Sequence, residues 1–196
     1  SCYATPNTTI PAGTYTIEAT VKDDDGDSTS KTFTIEVLSL QDAIEEVAEE
    51  IEELIASTSD PQARAALRSA LDELLGNHGG TPPTNGAIDK LDADDPVSAI
   101  TKLRAAISYL QRAEARGAGN LKDLKDLLGL VAEAIATGAY QEAQDAIPNP
   151  SPGQAKSLES IADLISTGHG QLASGQYLNA CDSFRQATQK SLDLLK

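Results

Sequence analysis

Two hydrophobic rhythms divide the chain. From residue 14 to 37 the period is two: Tyr15, Ile17, Ala19 and Val21 alternate with Thr16, Glu18, Thr20 and Lys22, and Phe33, Ile35 and Val37 alternate with Thr32, Thr34 and Glu36. Strict alternation is the mark of a half-buried strand. The Asp23-Asp24-Asp25-Gly26-Asp27 stretch between the two runs supplies residues that tolerate tight-turn backbone. The pattern therefore predicts one β-hairpin with a single apolar face. A lone two-stranded hairpin is marginal in water, so that face needs a cover: the chain's own helices, another chain, or protein outside this sequence.

After Ser39 the period lengthens to that of a helix. Leu40, Ile44, Val47, Ala48, Ile51, Leu54 and Ile55 form a stripe, and Glu45, Glu46, Glu49, Glu50, Glu52 and Glu53 cover the opposite side. Ser39 and Asp42 have the spacing of a capping box. Asp60-Pro61 starts a second helix that ends at Gly76, and the Gly-, Pro- and Thr-rich stretch Asn77–Gly86 is a loop. A short helix then holds Ile88 and Leu91, and Asp94-Asp95-Pro96 opens a longer one closed by Gly117-Ala118-Gly119. Asn120 is read as the cap of a helix running to Gly138, followed by a short segment over 139–147. Ser151-Pro152 starts the next, with Gly168-His169-Gly170 expected to interrupt or bend it, and a last helix reaches the C-terminus.

The helical part also repeats. A shift of 81 residues lays Leu91 on Leu172, Val97 on Leu178, Ala99 on Ala180, Ile100 on Cys181, Leu103 on Phe184 and Ala106 on Ala187. Two related α-hairpin units are expected. The expected fold class is α+β, a β-hairpin joined to an all-α bundle of antiparallel helical hairpins. The boundaries are 1–38 for the β segment, 39–147 and 148–196 for two helical modules, or one continuous helical domain over 39–196.

Composition narrows the function. Of the 196 residues 4% are aromatic, with no Trp and no Met, so the core has to be aliphatic and rich in alanine. Thirty acidic residues against 15 basic give a net charge of −15, a field that repels nucleic acid and anionic membrane surfaces. No apolar run approaches a membrane span. Without an initiator Met or a signal-peptide pattern, the chain reads as a mature product or a fragment.

Candidate chemistry is sparse. Cys2 and Cys181 form an even pair that would make one disulfide in an oxidising compartment; the other reading is a free Cys2 and a buried Cys181 acting as a small hydrophobe. Asp23, Asp25 and Asp27 place carboxylates at alternate positions, a candidate calcium site, but Thr34 stands where an EF-hand would need its bidentate carboxylate, and solvated turn residues are the plainer reading. His78 and His169 each lie beside glycines at an expected helix end, where a histidine satisfies terminal carbonyls. No metal-ligand spacing, nucleophile elbow or phosphate-binding glycine motif is present. No cofactor other than calcium is expected, and no enzyme activity.

The stretch Ala12-Gly-Thr-Tyr-Thr-Ile-Glu-Ala-Thr-Val-Lys-Asp-Asp-Asp-Gly-Asp-Ser, with the strand Lys31–Val37, resembles the last two strands of a PKD (polycystic kidney disease) domain. The match spans residues 8–38, under a fifth of the chain, and the family's earlier strands have no counterpart before residue 14. The region Leu40–Ile135, through the stretch Ile88–Ile107 with Tyr109-Leu110, resembles, more weakly, the FIMAH and FIVAR helical modules of secreted surface proteins, and Gly138-Ala-Tyr-Gln-Glu-Ala143 and Gly175-Gln-Tyr-Leu-Asn-Ala180 would equally suit a tetratricopeptide-like array. The PKD resemblance implies an immunoglobulin-like sandwich, here partial, in an extracellular or cell-surface protein. The expected function is a structural or adhesive module, associating through proteins only, by self-assembly or with an upstream domain of the same precursor. Tyr15, Ile17, Val21, Phe33 and Ile35 are the candidate assembly face, and strand completion there would build a filament or lattice. The alternative is the non-catalytic C-terminal region of a secreted protease or glycan hydrolase.

Overall fold

The computed structural model describes residues 13–22, 25, 27–77 and 85–196. The chain divides into two compact units, Ser1–Asp42 and Ala43–Lys196. Among the described residues the first unit holds one antiparallel sheet of two strands, β1 (Gly13–Lys22) and β2 (Ser28–Val37). No second sheet faces it among those residues, so the hairpin expected from the alternation is present and a sandwich is not.

The remainder is helical: α1 (Leu40–Ser57), α2 (Pro61–Leu75), α3 (Ala87–Asp92), α4 (Pro96–Ala115), α5 (Lys122–Ala146), α6 (Pro152–Ala173) and α7 (Tyr177–Leu194). The starts follow the caps. Asp42 N–H donates to Ser39 Oγ at 3.0 Å and Ser39 N–H to Asp42 Oδ2 at 3.2 Å, the reciprocal pair of a capping box. Asp60 Oδ1 accepts from the amides of Gln62 and Ala63, Asp95 Oδ1 from Ser98, and Ser151 and Gln154 cap each other. At α5, Asn120 Oδ1 accepts from Lys122 N–H at 3.1 Å and so still serves the first turn.

Two glycine readings are corrected. Helix α5 runs through Gly138 to Ala146, burying Ala139 and Ala143 beyond it, and α6 runs unbroken through Gly168-His169-Gly170. Gly168 is there for closeness: a Cβ on it would lie 2.4 Å from Cε1 of the Phe184 ring. A helix tolerates such a glycine because packing offsets the roughly 1 kcal/mol of lost propensity.

The core centres on α4 and α7. Helix α4 packs on α2, α3, α5 and α7, and α7 on α4, α5 and α6. Their inner faces are equivalent under the 81-residue shift. Ala99, Ile100, Leu103, Ala106, Ile107 and Leu110 are fully buried in α4, as are Ala180, Cys181, Phe184, Ala187, Thr188 and Ser191 in α7. The hydroxyls of Thr188 and Ser191 donate to the carbonyls of Phe184 and Ala187, so no buried donor is stranded.

The turns that feed these two helices also coincide. Ala93, Asp94 and Asp95 amides bond to Asp89, Leu91 and Lys90 carbonyls; Ser174, Gly175 and Gln176 amides bond to Gly170, Leu172 and Gln171 carbonyls. Asp94 (φ 55°) and Gly175 (φ 72°) occupy the same left-handed position, and Asp94 is the one non-glycine residue with positive φ among the described residues. The repeat seen in the sequence is thus a repeat of backbone hydrogen bonds.

Candidate assembly surface

The strand register decides which side chains share a face. Tyr15 pairs with Ile35, Ile17 with Phe33, Ala19 with Lys31 and Val21 with Thr29. Alternate residues point to opposite sides of a sheet, so Tyr15, Ile17, Val21, Phe33 and Ile35 lie on one face, as the alternation required. The other face is polar: Thr16 opposes Thr34, Glu18 opposes Thr32, and the Thr20 and Ser30 hydroxyls are hydrogen-bonded at 2.7 Å.

The apolar face is open. Ile17 keeps 47% of its surface, Val21 73%, Phe33 46% and Ile35 39%, and among the described side chains of the strands only Tyr15 and Val37 are half-buried. Covering an aliphatic or aromatic side chain is worth about 1.5–3 kcal/mol when complete, so covering this face would be favourable. Two members break the apolar pattern, Thr29 opposite Val21 and Lys31. Lys31 lies on the same face, opposite Ala19, with Nζ 5.5 Å from the centroid of the Phe33 ring, a cation–π contact. The alternation of residues 32–37, extended back by one residue, places Lys31 on the apolar side.

Within the helical unit the sharpest polar cluster joins α4, α5 and α7. Lys125 is 6% exposed, and its Nζ donates to Glu114 Oε2 at 2.6 Å while lying 5.3 Å from the Tyr177 ring centroid. Glu114 Oε1 accepts from Leu121 N–H at 3.2 Å. Tyr177 Oη donates to Asp126 Oδ1 at 2.8 Å, and Lys122 bonds the other Asp126 oxygen. The hydrogen bond from Lys125 holds the Glu114 carboxyl below its ordinary value, and burial, followed by the bond to Asp126, pushes the Tyr177 phenol up to about 12. The cluster ties three helix ends together, and its groups are turned onto one another rather than toward an opening. The signal for it was Lys125 itself, which falls on the buried stripe four residues after Leu121 and three before Leu128.

One groove, of about 410 Å³, runs between α6 and α7 past Lys156, Ser160, Lys190 and Asp193, and another of about 150 Å³ between α1 and α5 past Glu46, Val47 and Leu124. His169 sits inside α6 and not at its end, with Nδ1 2.9 Å from Glu133 Oε1 of α5, so it bridges helices where a capping role was expected. His78 lies outside the described residues.

Cys181 is a fully buried free thiol, pushed up to about 12 by burial, and Cys2 lies outside the described residues. Of the candidate calcium residues, Asp23 also lies outside them, and Asp25 and Asp27 are exposed. Among the described residues no group of three or more His, Cys, Asp or Glu is arranged to hold a metal ion, and no helix is long and apolar enough to cross a membrane. Comparison of the chain with family models, with curated proteins and with solved structures finds no match.

Proposed function

We propose that this chain is a non-enzymatic structural or adhesive module of a secreted or cell-surface protein, and that the hairpin is the surface through which it associates. The observation that carries this reading is the exposure of Ile17, Val21, Phe33 and Ile35 together on one face of a two-stranded sheet. Exposed apolar patches with a polar surround mark interaction surfaces, and an unpaired strand edge accepts a further strand. In this reading the hairpin corresponds to the last two strands of a PKD-like sandwich, completed by strands from a second copy or from an upstream domain of the same precursor. The acidic balance fits protein contacts rather than nucleic acid.

Light scattering across a concentration series, with negative-stain imaging, tests it. The full chain is expected to exceed 20.5 kDa as concentration rises. The double variant Ile17→Lys/Phe33→Lys is expected to stay at the monomer mass with an unchanged helical circular dichroism spectrum. A wild-type chain that remains a 20.5 kDa monomer at millimolar concentration overturns self-association.

A further inference from the structure

The helical unit carries seven lysines, and five of them are matched to a carboxylate: Lys90 to Asp95, Lys102 to Glu73, Lys122 to Asp126, Lys125 to Glu114 and Lys196 to Asp193. In a chain with 30 acidic residues against 15 basic, a matched lysine is the ordinary outcome. The two that remain, Lys156 and Lys190, have no carboxylate partner among the described residues, and both line the groove of about 410 Å³ between α6 and α7. Lys156 and Ser160 are one turn apart on α6, and Lys190 reaches across from α7 to donate to Ser160 Oγ at 3.0 Å. The Ser160 hydroxyl thus accepts from Lys190, and among the described residues its own proton goes to no acceptor. Asp193, the one described carboxylate on the lining, is already engaged: its Oδ1 accepts from Lys196 Nζ at 2.9 Å and from Gln189 Nε2 at 3.1 Å.

We infer that this groove binds a tetrahedral oxyanion carried as an ester on a small polar molecule, a sugar phosphate or a sugar sulfate. Three donors line it: the ammonium groups of Lys156 and Lys190 and the hydroxyl of Ser160. An ammonium is a compact point charge whose donors rotate, which suits the oxygens of a phosphate or sulfate; the planar, bidentate hold on a carboxylate is the work of arginine, and no arginine lines the groove among the described residues. The volume of about 410 Å³ lies within the span of small-molecule sites, roughly 300–1,000 Å³, and exceeds what a bare ion fills. Leu194 and the lysine stems give the body of an ester an apolar wall to lie on. The net charge of −15 does not close the site, because at physiological ionic strength exposed charges farther away than about 8 Å are largely screened, and Lys156 and Lys190 set the local field. The groove lies wholly within the helical unit, so this inference does not rest on the associating role of the hairpin.

Amide NMR titration of the full chain at constant ionic strength tests the site, with inorganic phosphate, inorganic sulfate, acetate, and the phosphate and sulfate monoesters of glucose as probes. The amides of residues 156–160 and 190–194 are expected to shift saturably. One monoester is expected to bind several-fold tighter than its inorganic ion, and which one does so tells a phosphate source from a sulfate source; acetate is expected to bind several-fold more weakly than either inorganic ion. Lys156→Gln and Lys190→Gln should each weaken binding about tenfold, the loss of one charge-assisted hydrogen bond, with the helical circular dichroism spectrum unchanged. Arg68→Gln, which removes an exposed charge from α2, should leave binding as it is. An equal loss in Arg68→Gln, acetate binding as tight as phosphate, or unsaturable shifts spread over the basic residues of every helix overturns the site. Monoesters that bind no tighter than the inorganic ions mean an adventitious ion only, and overturn the inference.

Discussion

The chain's two phenylalanines mark the contrast between its two units. Phe33 stands on the hairpin with 46% of its surface exposed; Phe184 is fully buried in α7, against Gly168 of α6. The same side chain is a core element in one unit and surface in the other. The helical unit buries most of its apolar residues internally, with α4 and α7 packed among the other helices and Leu130 and Leu195 left exposed. The hairpin displays the residues that such packing would hide. Burial is concentrated in the helical unit, and exposed apolar surface in the hairpin.

The largest expected effect breaks that comparison if it fails. Phe184→Ala should lower the unfolding free energy by about 3–5 kcal/mol, whereas Phe33→Ala should change it by no more than about 0.5 kcal/mol, as for an exposed site. Urea unfolding followed by helical circular dichroism checks both, and equal losses would mean that the hairpin is a structural part of the helical unit. Next come the glycines of α6. Gly168→Ala drives a methyl into the Phe184 ring and should cost about 1–3 kcal/mol. Gly170→Ala meets open space and should gain up to about 1 kcal/mol. Opposite shifts in melting temperature are the expected readout.

Much of the architecture was legible because local rules and packing agree. Ser39, Asp60, Asp95 and Ser151 each announced a helix start, and each side chain bonds the amides expected. The two strands and the side shared by Tyr15, Ile17, Val21, Phe33 and Ile35 followed from alternation alone. What escaped depends on neighbours distant in sequence. A glycine in a helix can be a stop or a contact, and only Phe184, sixteen residues away on the next helix, makes Gly168 a contact. Lys125 looked like one charge among many until Glu114 and Tyr177 enclosed it. The alternation that names a face says nothing about a charge placed on it, and Lys31 is such a charge.

Smaller effects sharpen the picture of the helical unit. Glu114→Gln should cost about 1–2 kcal/mol, less than a deeply buried pair, because 33% of the Glu114 side chain stays in water. The sign with pH follows from the lowered carboxyl. Its contribution is complete above the ordinary value of 4.5 and is lost as pH falls through the lower folded value. The variant should therefore flatten the acid limb of a stability-versus-pH profile. Smallest of all, Cys181, pushed up to about 12, should ignore a thiol reagent at pH 8 in the folded chain and react on unfolding. Labelling counted by intact mass reports it.

The paired turns before α4 and α7 have one more consequence. They make the same hydrogen bonds, yet one places Asp94 and the other Gly175 at the left-handed position. The second turn thus shows which residue suits the first: Asp94→Gly, with the Asp89 and Asp95 caps left in place, is expected to relieve the strain of roughly 1 kcal/mol that a residue with a side chain carries in that backbone shape.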